Sequence, residues 1–253
     1  KGFLKKPLVG ATTNPKKYKT SVKKDFPTID KMLTATLFVF VAFSMFSISI
    51  TQISCGIGGS LWLLRTHLTN TWEEQRWPLG VPFLLFVFAS LVAVANAYDV
   101  SYSYKPLKKL LEILIFFWVL NCVRENGLRD SLSLVLIASA TLAGLFGFYQ
   151  YWQDFHLNYT PTGPRSASRV EGTLSTYMTF AGLLMMVGLL ALGRVMFRQP
   201  VQRWIWASIG IIATCLLFTL TRQAWFGFMT GLIFLVFCWR KKILLLLPAL
   251  LLI

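Results

Sequence analysis

Charged residues are scarce in this sequence, and their scarcity excludes an ordinary soluble globular protein. Only 14% of the 253 residues are charged, whereas 55% are hydrophobic. The mean hydropathy is +0.60, and apolar runs of roughly 17 residues or more recur along the chain, the length an α-helix needs to cross a bilayer. The sequence therefore predicts an all-α fold, a polytopic transmembrane helical bundle of about eight or nine helices.

Histidine and clustered cysteine are also lacking, which argues against a metal centre. The two histidines, His67 and His156, lie far apart, and the four cysteines stand singly in or beside apolar runs without CxxC spacing. We interpret such cysteines as small packing residues. No internal repeat is evident, which disfavours the repeated halves of many secondary transporters. We expect neither a metal nor another cofactor.

Basic residues are what the sequence has in excess, with 25 lysines and arginines against 10 acidic residues. They lie between apolar runs and in residues 1–31, where they indicate membrane topology better than nucleic-acid binding. Residues 1–31 hold nine lysines and three prolines, so we predict a disordered cytoplasmic tail. Residues 32–253 are predicted to form one transmembrane domain.

The apolar run Leu33 to Leu64 could form one overlong helix or two short helices that break near Ser49 to Ser54. Two helices place 19 of the 25 basic residues on the cytoplasmic side, whereas one helix places only 15 there. The positive-inside rule therefore predicts two helices and a cytoplasmic N-terminus.

The sequence starts without methionine and stops inside an apolar run, residues 243–253. At 1.5 Å per residue this run covers about half of a hydrocarbon core of roughly 30 Å. We expect more protein to follow.

The longest polar interval after the tail is Trp152 to Gly172, which the charge count places outside the membrane. It contains Arg165 and Arg169 just before the next apolar run, and the turn that precedes Arg222 is predicted to lie on the same side. Both segments lead into helices whose N-termini carry unpaired N–H groups and a positive dipole end. Arginine next to such an end suits a diphosphate, because guanidinium binds phosphate oxygens bidentately. The hydroxyl group of Thr173, Ser175, Thr219 or Thr221 could cap or supplement these ends.

Arg222 carries the stronger signal, because it interrupts 36 residues, Trp204 to Trp239, that are otherwise uncharged. Such a charge is costly at membrane depth unless an anion or cavity water compensates it. The alternative interpretation is a turn residue that snorkels to the headgroups. Arg169 is likewise either a phosphate ligand or an interfacial anchor.

Three weaker candidates surround Arg169. His156 and Tyr159 could lie near an acceptor, although a loop histidine is more often simply solvated. Glu171 could orient Arg169 or only offset its charge.

Four segments resemble the O-antigen ligase and O-antigen polymerase family. RVEGTLSTYMTFAG, from Arg169 to Gly182, is similar to the entry to the helix after that family's first large external loop. LLFTLTRQAWFGF, from Leu216 to Phe228, resembles its threonine-arginine marker at the outer end of a helix. GLFGFYQYW, from Gly144, and SMFSISITQISCGIGGSLWLL, from Ser44, are similar in position and character.

The resemblance implies a GT-C-like, inverting, metal-independent glycosyltransferase of the bacterial inner membrane. Its donor would be an undecaprenyl-diphosphate-linked glycan, and its acceptor lipid A-core or a growing polysaccharide at the periplasmic face. Arg169 and Arg222, with Arg165 as a further candidate, would hold the diphosphate. The general base in that family is a histidine in a later periplasmic loop, which we expect beyond residue 253. The alternatives are a transporter or flippase for an anionic or lipid-linked substrate, with Arg222 as counter-ion, and a non-catalytic membrane scaffold.

Overall fold

A computed structural model of the chain describes residues 27–98, 112–157, 170–174, 176–198 and 202–239, with single positions at 103, 107 and 110. The described residues form eight α-helices and no strand, which confirms the predicted all-α class. In chain order they are α1 (Pro27–Phe43), α2 (Ile48–Thr69), α3 (Gly80–Ala95), α4 (Glu112–Cys122), α5 (Asn126–Leu157), α6 (Tyr177–Phe197), α7 (Arg203–Phe218) and α8 (Arg222–Trp239), with a 3₁₀ turn at Trp72–Glu74.

Two helices replace the long run near the start of the chain, as the charge count predicted, but the break comes earlier than expected. The chain turns at residues 44–47, and Ser49 to Ser54 lie inside α2. The Ile50 N–H donates to Ser47 Oγ at 3.4 Å, so Ser47 caps α2 at its N-terminus. Serine is among the best N-caps, which explains why the helix starts there.

Successive helices run in opposite directions, so that the bundle has two distinct ends. At one end, Asp30 near the start of α1 pairs with Arg65 near the end of α2, and Asp130 near the start of α5 pairs with Arg194 near the end of α6. We call this the basic end. The opposite end holds the turns 44–47 and 219–221, the last turns of α5, residues 170–174 and the start of α8. We call it the Arg222 end.

Two apolar clusters form the core. The larger one joins α5, α6, α7 and the start of α8, and includes the fully buried Phe180, Leu184 and Ile212. The smaller one joins α1, α2, α4 and α5 around Trp62 and Trp118. Close packing in the smaller cluster depends on glycine, since a Cβ at position 58 would lie 2.1 Å from the Trp118 ring. Because the larger cluster includes the start of α8, it positions the Arg222 end.

Three described helices are long and apolar enough to cross a membrane, which indicates membrane association. They cover Asn126–Gln153, Tyr177–Phe197 and Arg222–Trp239. The helices Gly80–Ala95, Glu112–Cys122 and Arg203–Phe218 are apolar but shorter. A bundle in which every helix crosses the membrane therefore remains a prediction.

Helix α5 extends further than the sequence predicted. The predicted span ended at Tyr151, whereas the helix continues to Leu157 and takes in the first six residues of the predicted loop. The extension has a physical reason, because neither proline nor glycine occurs from Trp152 to Thr160. Within it, Gln153 Nε2 donates to Tyr149 Oη at 2.6 Å, one turn earlier.

Candidate functional site

Arg222 is the first residue of α8 and lies exposed at its N-terminus. Its guanidinium forms no ion pair or hydrogen bond with any residue that the structure describes. The N-terminus of a helix is itself electropositive, with the equivalent of about half a positive charge. An unpaired arginine at this position therefore reinforces a positive potential instead of neutralising one, and an anion would relieve it.

The turn before Arg222 is held by its own backbone and by threonine hydroxyls. Leu220 has φ +52°, the left-handed region, which lets the chain reverse between α7 and α8. Thr219 Oγ1 donates to the Leu216 carbonyl at 2.7 Å, and Thr221 Oγ1 donates to the Thr219 carbonyl at 3.2 Å. Neither hydroxyl accepts a hydrogen bond from the first N–H groups of α8 among the described residues, so the predicted cap is not formed by these two threonines. They point back to carbonyl oxygens at the end of α7, which a helix leaves without partners.

Residues 170–174 pack against the same end of the bundle. Gln150 Oε1 accepts hydrogen bonds from the backbone N–H groups of Glu171 at 3.3 Å and Gly172 at 3.0 Å. Thr173 Oγ1 donates to the Met45 carbonyl at 3.0 Å, so it ties this segment to the turn between α1 and α2 instead of capping a helix. The segment is thereby fastened to two other parts of the chain.

Gly172 explains why the segment can approach the bundle so closely. It has φ +65°, and an added Cβ would lie 2.7 Å from the Phe180 ring. A side chain at this position is excluded both by backbone conformation and by space. Val170 on its other side is buried, with 1% of its surface exposed.

The N-terminus of α6 lacks a side-chain cap. Its N-cap residue is Thr176, which accepts no capping hydrogen bond. Instead the Thr176 and Thr179 hydroxyls lie 2.7 Å apart. Since Ser47 does cap the nearby start of α2, the Arg222 end has both satisfied and open helix termini. The open start of α6 and the start of α8 share one buried cluster through Phe180 and Ala224.

The remaining residues predicted for the site are distributed as follows. Arg165, Arg169 and Tyr159 lie outside the described residues, and so does Ser175. His156 lies in the last turn of α5 and not in a loop, and its side chain is outside the described part. Glu171 is described and exposed, and its backbone N–H is held by Gln150. Of the predicted diphosphate ligands, the structure therefore describes Arg222.

Sequence reasoning missed Gln150, which organises the segment before α6. A signal for it existed, because it is a polar residue in a run that otherwise reads as apolar and aromatic. Its neighbour Tyr151 stacks on Phe218 with ring centroids 4.6 Å apart. This contact joins the last turns of α5 to the end of α7 and fixes where Gln150 lies.

Comparison of the chain with protein-family models, with curated proteins and with solved structures finds no match.

Proposed function

We propose that this chain belongs to a GT-C-like membrane glycosyltransferase that resembles O-antigen ligases and polymerases. It moves a glycan from undecaprenyl diphosphate to lipid A-core or to a growing polysaccharide at the periplasmic face of a bacterial inner membrane. In this proposal all eight described helices belong to a polytopic bundle with a cytoplasmic N-terminus. The basic end faces the cytoplasm, and the Arg222 end faces the donor.

The observation that carries the proposal is the unpaired, exposed guanidinium of Arg222 at the start of α8. The arginine of a simple topology signal needs no special surroundings. Arg222 instead follows a turn whose hydroxyl groups bond to α7, and it lies at the same end of the bundle as the uncapped start of α6. Positive dipole ends and a guanidinium together suit an anion with several oxygens, such as a diphosphate.

The chemistry follows from this arrangement. An acceptor hydroxyl attacks the anomeric carbon of the donor sugar, and the bond between that carbon and the diphosphate oxygen breaks with inversion. Undecaprenyl diphosphate leaves with the bonding electron pair, and a base accepts the proton of the attacking hydroxyl. Arg222 and the helix N–H groups stabilise the charge that grows on the leaving diphosphate, without having to reorganise. Arg169 and Arg165 are proposed to complete the diphosphate site.

The experiment is a glycan-transfer assay in cells that express the complete protein. Arg222→Ala and Arg222→Lys should each reduce transfer by at least about 100-fold, since lysine cannot bind phosphate bidentately. Arg169→Ala should be nearly as damaging, and Arg165→Ala milder. The matched control is Arg129→Ala, which removes an exposed arginine at the basic end whose side chain has no partner among the described residues. It should transfer normally.

Near-normal transfer by a well-expressed Arg222→Ala protein would contradict the proposal and favour a scaffold. Accumulation of donor on the cytoplasmic face of the membrane in that variant would instead favour a flippase. Glycan on lipid A, compared with polysaccharide chain length in a deletion strain, then separates a ligase from a polymerase.

A further inference from the structure

A cavity of about 480 Å³ lies at the basic end, away from the proposed donor site. Its walls come from α1, α2, the segment after α2, α4 and the start of α5. The volume is in the range of small-molecule pockets, roughly 300 to 1,000 Å³. The proposed glycan transfer makes no use of it, so its occupant is a separate question.

Arg124 is fixed at the wall of this cavity by a single nitrogen. Its Nη2 donates to the Glu74 carbonyl at 3.1 Å, to Gln75 Oε1 at 3.3 Å and to Asn121 Oδ1 at 3.2 Å. Asn121 is itself held by the backbone of Arg76, whose N–H donates to Asn121 Oδ1 at 2.8 Å. The Nε and Nη1 groups of Arg124 have no acceptor among the described residues. A guanidinium carries five N–H donors, so Arg124 is oriented and still able to bind an anion.

Arg65 on α2 likewise has N–H groups without an acceptor. Its Nε pairs with Asp30, which leaves its two terminal nitrogens without an acceptor in the described chain. Arg65 and Asp30 are both partly exposed, at 40% and 46%, so the pair borders the opening. Two guanidinium edges therefore line one cavity.

Glu125 favours a zwitterion over a plain anion as the occupant. Among the acidic residues of the described lining, Asp30 is already paired with Arg65. The Glu125 carboxylate is exposed and has no partner within the described residues. A plain anion would leave Glu125 unpaired, whereas a zwitterion finds donors at the arginines and an acceptor at Glu125.

We propose that this cavity binds a phosphoethanolamine group, with its phosphate against Arg124 and Arg65 and its ammonium against Glu125. The inner wall is apolar, formed by Leu33, Leu37 and Leu128, and suits the short carbon linkers of such a group. The group can come from a phospholipid headgroup or from a soluble phosphodiester. This proposal does not depend on the transferase function.

The test is lipid competition on the complete protein, measured by native mass spectrometry after delipidation in detergent. Phosphatidylethanolamine should be retained about tenfold better than phosphatidylcholine, which lacks an ammonium N–H, and better than phosphatidylglycerol, which lacks a cation. Glu125→Gln and Arg124→Gln should abolish the preference. The matched controls are Glu73→Gln and Arg129→Gln, which change exposed residues of the same end that do not line the cavity. These two variants should keep the preference for phosphatidylethanolamine.

The outcomes are distinguishable even if Arg124→Gln disturbs folding. The Glu125 side chain forms no hydrogen bond or ion pair with any described residue, so the Glu125→Gln variant should fold normally. Equal retention of the three lipids by the wild-type protein would overturn the proposal. So would a preference that survives Glu125→Gln, or one that Glu73→Gln removes equally. If soluble glycerophosphoethanolamine at matched concentration displaces the lipid, the ligand is a soluble phosphodiester. If it does not, while phosphatidylethanolamine is still clearly preferred, the ligand is the phospholipid headgroup.

Discussion

Arginines at the two ends of the bundle differ in their partners. At the basic end, Arg194 donates to Ser133 at 2.8 Å and pairs with Asp130 at 3.5 Å, and Arg198 also pairs with Asp130. At the other end, Arg222 stands exposed at a helix start with no such partner in the described chain. Arg194 and Arg198 therefore stabilise the fold, whereas Arg222 is available to a ligand.

Helix polarity makes this contrast stronger. Arg194 and Arg198 lie at the C-terminal end of α6, where a positive charge is favourable. Arg222 lies at an N-terminal end, where a positive charge is unfavourable. An arginine that contributes to folding would be better placed at the C-terminal end of a helix, as Arg194 and Arg198 are. An anion that binds there, as we propose, would offset this unfavourable charge.

The largest effect on stability is expected at the basic end, from Asp130→Asn. Asp130 and Arg194 are largely buried, with 19% and 17% of their side chains exposed. Loss of the carboxylate leaves two arginines without their acid, which should cost about 2 to 3 kcal/mol of unfolding free energy. Reversible unfolding in mixed micelles measures it. The comparison variant is Arg222→Ala, which should stay within about 0.5 kcal/mol of wild type. Equal losses in both variants would remove the distinction between the two ends.

Gly172→Ala should have the next largest effect. The new methyl group would sit 2.7 Å from the Phe180 ring at φ +65°, and strain with overpacking should cost about 2 kcal/mol. Gly210→Ala is the matched control, because a Cβ there meets nothing within 4 Å and the helix should gain up to about 1 kcal/mol. Unfolding midpoints of the two variants report the difference. A tolerated Gly172→Ala protein with full glycan transfer would show that residues 170–174 need not pack as described.

Gln150→Leu should have a smaller effect on stability but a selective one on transfer. It removes the acceptor for two backbone N–H groups, which should cost about 1 kcal/mol and loosen the entry to α6. Gln153→Leu makes the same change three residues later at an exposed position and should alter stability by less than about 0.5 kcal/mol. The cellular transfer assay should register a loss for Gln150→Leu alone. Identical behaviour of the two variants would argue against a role for Gln150.

The all-α class and the paired helices near the start could be predicted from sequence, because apolar runs and the positions of lysine and arginine depend on local composition. The exact turn at residues 44–47 could not, since several serines in that run could cap a helix and only packing selects Ser47. The extension of α5 to Leu157 was missed for a related reason. A polar stretch such as Trp152 to Leu157 is compatible with either a loop or an exposed helix end.

The site was partly predictable. Arg222 stands out because it is the one charge in a long uncharged stretch. The hydrogen bonds of Thr173 to Met45 and of Gln150 to Gly172 join residues far apart in the chain, and no local pattern encodes them. The cavity at the basic end was missed because its described lining comes from three separate stretches of the chain, none of which has a motif of its own.

The most direct measurement is the affinity of the complete protein for undecaprenyl diphosphate in phosphatidylcholine nanodiscs. Wild type and Arg129→Ala should bind with equal affinity, whereas Arg222→Ala should bind about tenfold to 100-fold more weakly, since it loses a charge-assisted, bidentate contact. The affinities of the wild type and of Arg222→Ala for undecaprenyl monophosphate should differ less. Unchanged diphosphate affinity in a folded Arg222→Ala protein would contradict the assignment of Arg222 as a donor ligand.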